Sequence, residues 1–125
     1  MAHILVAEDE RDIRELVAFT LQFAGHQVTQ AQNGEIAVEL AQKVLPDLIL
    51  TDVRMPKMTG YEVCRALKEI ESVKHIPVVI LSAKGQDDEI ETGKAAGAID
   101  YILKPFDMAE LQQRVNEILS KIGAS

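Results

Sequence analysis

The stretch Asp47-Leu48-Ile49-Leu50-Thr51-Asp52 decides how this chain folds. Three consecutive aliphatics bounded by turn-type residues fit a short parallel strand covered on both faces. The strand ends on a carboxylate, and Val53 to Gly60 follows as a loop with Pro56 and Gly60 and no apolar periodicity. At the carboxyl end of a central strand of an open α/β sheet, a carboxylate lies where such sheets bind ligands. Aspartate is also a common turn residue, so taken alone Asp52 reads first as a strand end. The two readings separate only when other strands bring partners to the same rim.

Outward from this strand, strand-like and helix-like segments alternate in both directions, the pattern of a parallel sheet with helices on both faces. Residues 3–8 read as a first strand. Ile13, Leu16, Val17, Leu21 and Ala24 recur at helical spacing, and Gly25 stops that helix as a left-handed cap would. A brief strand over 28–31, a turn at Asn33-Gly34 and a helix carrying Ile36, Ala37, Leu40, Ala41 and Val44 up to Pro46 lead into strand three. Beyond the loop, Thr59-Gly60-Tyr61-Glu62 has the form of a capping box and predicts a third helix with Val63, Ala66, Leu67 and Ile70 inward. Pro77 opens the β-branched run Val78-Val79-Ile80-Leu81-Ser82. Asp87-Asp88-Glu89 puts three acids where a helix dipole favours them, and reads as a capped, solvated helix start. Gly97 ends that helix, residues 99–103 make a fifth strand, and Met108, Leu111, Val115, Ile118, Leu119 and Ile122 stripe a last helix closed by Gly123.

The totals agree with one folded domain over residues 1–125, since 125 residues can bury a real core and 47% apolar with 26% charged residues is ordinary globular composition. The net charge of -7 disfavours non-specific attraction to nucleic acid or anionic lipid, and no basic stripe offsets it. Cys64 is alone, which excludes an internal disulfide and points to a reducing compartment. The apolar run Ile4 to Ala7 is too short for a signal peptide or a membrane span, so a cytoplasmic location is expected.

A five-stranded parallel sheet brings the carboxyl ends of its strands to one rim, and with them Glu8, Asp9, Asp52, Ser82 and Lys104. Carboxylates about 5 Å apart repel by roughly 3 kcal/mol per pair at an effective dielectric near 20, so a cation belongs among them. Lys104 supplies one charge, and a hard divalent ion such as Mg2+ suits the rest. A carboxylate beside such an ion can accept a phosphoryl group, with Ser82 as a hydrogen-bond donor. Each residue also has a plainer reading: Glu8-Asp9-Glu10 as a helix-start acid run, Ser82 as a strand-end hydroxyl, Lys104 as a surface charge, Tyr101 as a boundary aromatic. His3, His26 and His75 have no ligand spacing, and Cys64 reads as a small buried or boundary residue.

Taken together, Glu8-Asp9, Asp52 with Met55-Pro56 and Gly60, Ser82-Ala83 and Lys104-Pro105-Phe106 resemble the response-regulator receiver domain of bacterial two-component signalling, over essentially the whole chain. The resemblance implies a doubly wound, flavodoxin-like three-layer (βα)5 fold with strand order 2-1-3-4-5. It makes Asp52 the phospho-acceptor, Asp9 a direct magnesium ligand, Glu8 a ligand acting through water, and the main-chain carbonyl of Arg54 the last protein ligand. Ser82 and Lys104 contact the phosphoryl oxygens, Tyr101 is the aromatic switch, and Pro105 follows a cis peptide bond. The implied partners are a sensor histidine kinase or phosphotransfer protein and an unknown output protein met by helix four, strand five and helix five. Neither nucleic acid nor membrane is expected to be bound by this domain itself.

The pattern has local departures. Glu8 replaces the commoner aspartate, Ser82 stands where threonine is also common, and two cations, Arg54 and Lys84, occupy positions that tune phosphoryl lifetime in the family. Asp100, Glu110 and Arg114 match part of a salt-bridge set used for dimerisation, while Ile90 stands where a base belongs, leaving a monomer or a phosphorylation-dependent dimer. The alternative function, a phosphatase of the haloacid dehalogenase type, resembles Asp-x-Asp at its nucleophile, and Arg54 stands two residues after Asp52. A flavodoxin-like cofactor carrier is disfavoured by the acids after strand one and by the lack of a Gly-rich phosphate loop.

Overall fold

Short continuous aliphatic runs, each followed by an amphipathic helix, leave the chain little choice but a sheet buried on both faces. The computed structural model describes residues 1–83 and 86–123. Its strands are β1 (His3–Ala7), β2 (Gln27–Ala31), β3 (Leu48–Asp52), β4 (Val78–Ala83) and β5 (Asp100–Lys104). They alternate with α1 (Arg11–Phe23), α2 (Gly34–Val44), α3 (Gly60–Lys68), α4 (Asp87–Ala96) and α5 (Met108–Ile122). All strand pairs are parallel and the order is β2-β1-β3-β4-β5, the doubly wound arrangement expected.

The period of two along the central strands splits the core into two layers. Leu48 and Leu50 of β3 join Ile4, Val6, Val79 and Leu81 against Val17 and Leu21 of α1 and Leu111, Val115 and Ile118 of α5. Ile49, Leu5, Val78 and Ile80 pack on the other side with Ala37 and Ala41 of α2, Val63 and Leu67 of α3 and Ala96 of α4. Every residue of β3 is buried, and each aliphatic so buried contributes about 1.5–3 kcal/mol. Asp52 therefore ends a strand that is buried along its whole length.

The caps explain where the helices begin and end. Thr59 and Glu62 form the capping box that starts α3, and Asp107 with Glu110 forms a second one on α5. Gly25, Gly97 and Gly123 adopt left-handed backbone at φ of 99°, 113° and 75°, which costs a glycine nothing. Three local expectations need correction. Asn33 is the N-cap of α2, its side chain accepting from the Ile36 amide at 2.9 Å, so Asn33-Gly34 is a helix start rather than a free turn. The buried face of α1 runs through Val17, Ala18, Thr20 and Leu21, while Leu16 is 48% exposed and Ala24 is the exposed C-cap. Helical spacing places Leu16 near this face, but the sheet turns the helix toward Thr20. Before Pro46, Leu45 itself takes a left-handed conformation, φ 49°, to close α2.

Candidate functional site

The register fixes which groups share the rim. Thr51 lies beside Ala7 of β1, and Asp52 lies beside Leu81 of β4. The chain leaving β1 keeps Glu8 in place through its amide, which donates to the Ala31 carbonyl at 3.1 Å. As a result Glu8, Asp9 and Asp52 each offer a carboxylate oxygen within 4.8 Å of the others. From β5, Lys104 reaches across so that Nζ lies 2.7 Å from Asp52 Oδ1. The Lys104-Pro105 peptide is cis. A cavity of about 230 Å3 opens at this point, lined by Asp9, Asp52, Arg54, Ala83, Glu89 and Lys104 among others.

Glu8 is the anomalous member. It is 1% exposed; Oε2 accepts from the Glu10 amide at 3.1 Å, and Oε1 is buried without a partner. Burial, together with the neighbouring carboxylates of Asp52 and Asp9, pushes its carboxyl up to about 7 against the opposing pull of the Glu10 amide and Lys104. An orphaned buried oxygen inside a three-carboxylate cluster suits a hard cation, because hard oxygen donors of this kind are what Mg2+ selects.

The hydroxyl expected to face Asp52 is engaged elsewhere. Ser82 is fully buried, and its Oγ donates to Glu89 Oε1 at 2.9 Å; the Ala83 amide donates to the same oxygen at 3.1 Å. Glu89 Oε2 lies 3.4 Å from Arg54 Nε. The expectation of a solvated acid at the start of α4 is thus wrong for Glu89, which is 5% exposed, and right for Asp87 and Asp88. Tyr101 is half-buried on β5, with Lys94 Nζ 5.8 Å and Arg114 Cζ 5.7 Å from its ring centroid. Arg114 also donates to the Tyr101 carbonyl and pairs with Asp100 at 3.0 Å. Lys84 lies outside the described residues.

Comparison with known proteins decides the family. The family model described as the response regulator receiver domain matches residues 4–116. The chain belongs to the response regulator receiver domain family. It is 40% identical over 121 residues to the DNA-binding dual master transcriptional regulator RpaA of Synechocystis sp., covering 97% of this chain and 50% of that protein. It is also 40% identical over 120 residues to the phosphate regulon transcriptional regulatory protein PhoB of Escherichia coli, covering 96% of this chain and 52% of that protein. The receiver therefore spans about half the length of these curated relatives. Among solved structures, the chemotaxis response regulator CheY4 of Vibrio cholerae superposes with a TM-score of 0.89 at 36% identity, covering 95% of this chain and 99% of that one. No helix among the described residues is long and apolar enough to cross a membrane.

Within the receiver, sequence reading found Glu8, Asp9, Asp52 and Lys104 as a cluster but missed Glu89. An acid in a first helical turn is favourable whichever way it points, so composition gave no sign that this one turns inward. The Glu8 environment sets a pH dependence. Its folded carboxyl, near 7, lies above the ordinary 4.5, so between these values the folded state binds more protons than the unfolded one. Stability from this group is then intact below about 4.5 and falls as pH rises to about 7, by about 3 kcal/mol in total. Glu8→Gln removes the charge and keeps an oxygen for the Glu10 amide. In metal-free buffer it should melt like the parent at pH 4 and be the more stable protein at pH 8; urea titrations showing the same difference at both pH values would refute the account.

Proposed function

We propose that this receiver domain is a phosphorylation-activated signalling switch, with Asp52 as its acceptor. The observation that carries the reading is the contact of Lys104 Nζ with Asp52 Oδ1 at 2.7 Å inside the three-carboxylate cluster. In the transfer, an oxygen of Asp52 attacks phosphorus, a P–O bond forms, and the P–N bond of a phosphohistidine donor breaks with its electron pair going to the imidazole. Asp9, Asp52 and the main-chain carbonyl of Arg54, with Glu8 acting through water, would hold Mg2+, which would neutralise charge on the phosphoryl oxygens. Lys104 stays paired with the charge as it spreads from Asp52 onto those oxygens. Ser82 then donates to the phosphoryl group, and Tyr101 follows its movement inward. Catalysis is confined to the protein's own phosphorylation and dephosphorylation.

A haloacid-dehalogenase-type phosphatase would need a second acid where Arg54 stands, and the Arg54 side chain is 81% exposed and pairs with Glu89. The donor is a sensor histidine kinase or phosphotransfer protein of the cytoplasm. An output protein meets the face made by α4, β5 and α5, where Asp100, Tyr101 and Arg114 line an open groove of about 570 Å3. Incubation with Mg2+ and a small acyl phosphate should add one phosphoryl group by intact mass, labile to hydroxylamine as an acyl phosphate is. No mass gain under these conditions, or a hydroxylamine-stable adduct, would sink the reading.

A further inference from the structure

We infer that Glu89 is an internal competitor for the phosphoryl group: its carboxylate occupies the Ser82 hydroxyl and Ala83 amide that a phosphoryl on Asp52 would use. This inference rests on the function proposed above. A serine has one O–H to give, and that of Ser82 goes to Glu89 Oε1 at 2.9 Å. The same oxygen takes the Ala83 amide at 3.1 Å. Two donors converging on one carboxylate oxygen form an anion-binding corner, filled here by the protein's own side chain. The corner faces the acceptor, since Ala83, Glu89 and Asp52 line one cavity while Ser82 is sealed behind Glu89.

The charges make the occupancy exclusive. Phosphorylation adds anionic charge to Asp52 on the same cavity, and a second anion at the corner then repels it in a site of low effective dielectric. Charge-assisted hydrogen bonds to the corner can serve either anion, so Glu89 must leave for the phosphoryl oxygens to gain Ser82 and Ala83. Its partner outside is Arg54 Nε, 3.4 Å away on a side chain already 81% exposed, which offers a route toward solvent. Glu89 belongs to the first turn of α4, and Tyr61 Oη of α3 donates to its main-chain carbonyl at 3.4 Å, so the turn that carries Glu89 is also where α4 meets α3. Glu89 is therefore a positioning residue that holds the resting state and transmits its loss to α4.

The test uses beryllofluoride with Mg2+, a phosphoryl analogue that needs no donor, titrated into the full chain and followed by tryptophan-independent means such as amide NMR or calorimetry. Glu89→Ala should bind beryllofluoride at least tenfold more tightly than the parent, and Glu89→Gln, which keeps an acceptor but not the charge, should fall between them. In a Ser82→Ala background the gain from Glu89→Ala should shrink several-fold, because one of the two released donors is gone. A merely structural role for Glu89 would move the melting temperature but give the same affinity change in both backgrounds. Unchanged or weaker affinity in folded Glu89→Ala and Glu89→Gln, or an equal gain with and without Ser82, overturns the inference. If the parent does not bind beryllofluoride, or Asp52→Asn binds it equally well, the proposed acceptor fails instead.

Discussion

Asp52→Asn should abolish incorporation of the phosphoryl group while the protein stays folded. The amide is nearly isosteric with the carboxylate, so β3 and its two-sided packing are undisturbed, but its oxygen no longer carries the charge that makes it a nucleophile. The expected loss is complete within detection by intact mass, at Mg2+ and acyl phosphate concentrations that label the parent fully. A second signature distinguishes a lost nucleophile from a damaged site. Glu8 is held near 7 first by burial and then in part by the charge of Asp52. Removing that charge should lower the Glu8 midpoint, followed by NMR of its side-chain carboxyl, without returning it to 4.5, because the burial remains. Labelling of Asp52→Asn at the parental level would assign the acceptor elsewhere. An unmoved Glu8 midpoint would mean the two carboxylates do not share a field.

What was legible in the sequence follows the range of the interactions involved. Aspartate at the end of β3 and the acids after β1 could be brought together because parallel strands end on one rim whatever their exact lengths, and the observed 4.8 Å cluster is a consequence of topology. The capping box at Thr59 and the left-handed caps at Gly25 and Gly97 are local, so their residue types announce them. Leu16 and Glu89 were misread for the opposite reason. Their burial depends on how α1 and α4 rotate against the sheet, a property of packing between elements that are distant in sequence. In α1 the fully buried Thr20 satisfies its hydroxyl on the Leu16 carbonyl at 2.7 Å, which lets a polar residue take a core position that spacing would give to an aliphatic. In α4 the small residues Gly93 and Ala96 face the sheet, and this close approach carries Glu89 in toward Ser82.

Gly60→Ala should be the most damaging single methyl in the site. Gly60 is the first residue of α3, and its amide donates to the Val53 carbonyl at 2.9 Å. A Cβ there would lie 2.3 Å from the Asp52 carbonyl oxygen, 3.1 Å from the Asp52 carbonyl carbon and 3.2 Å from Val53 Cα. These neighbours are backbone, so no side chain can swing away as Ile80 Cδ1 could at Gly93. Relief to an ordinary contact of roughly 3.5 Å requires the start of α3 and the end of β3 to separate by about 1 Å. Overpacking of this kind costs about 3 kcal/mol, and for a domain of this size that lowers the melting temperature by roughly 10 °C. The displacement acts on the residue bearing the acceptor, and about 1 Å of misplacement can slow a reaction on the order of a hundredfold. The labelling rate of the folded fraction should therefore fall by that factor. Gly25→Ala supplies the comparison: it strains a left-handed residue at φ 99° far from the cavity, so it should lose stability and keep the parental labelling rate. If Gly60→Ala melts with the parent, α3 does not rest on the Asp52 peptide; if both variants lose labelling in proportion to stability, the close approach at Gly60 does not position the acceptor.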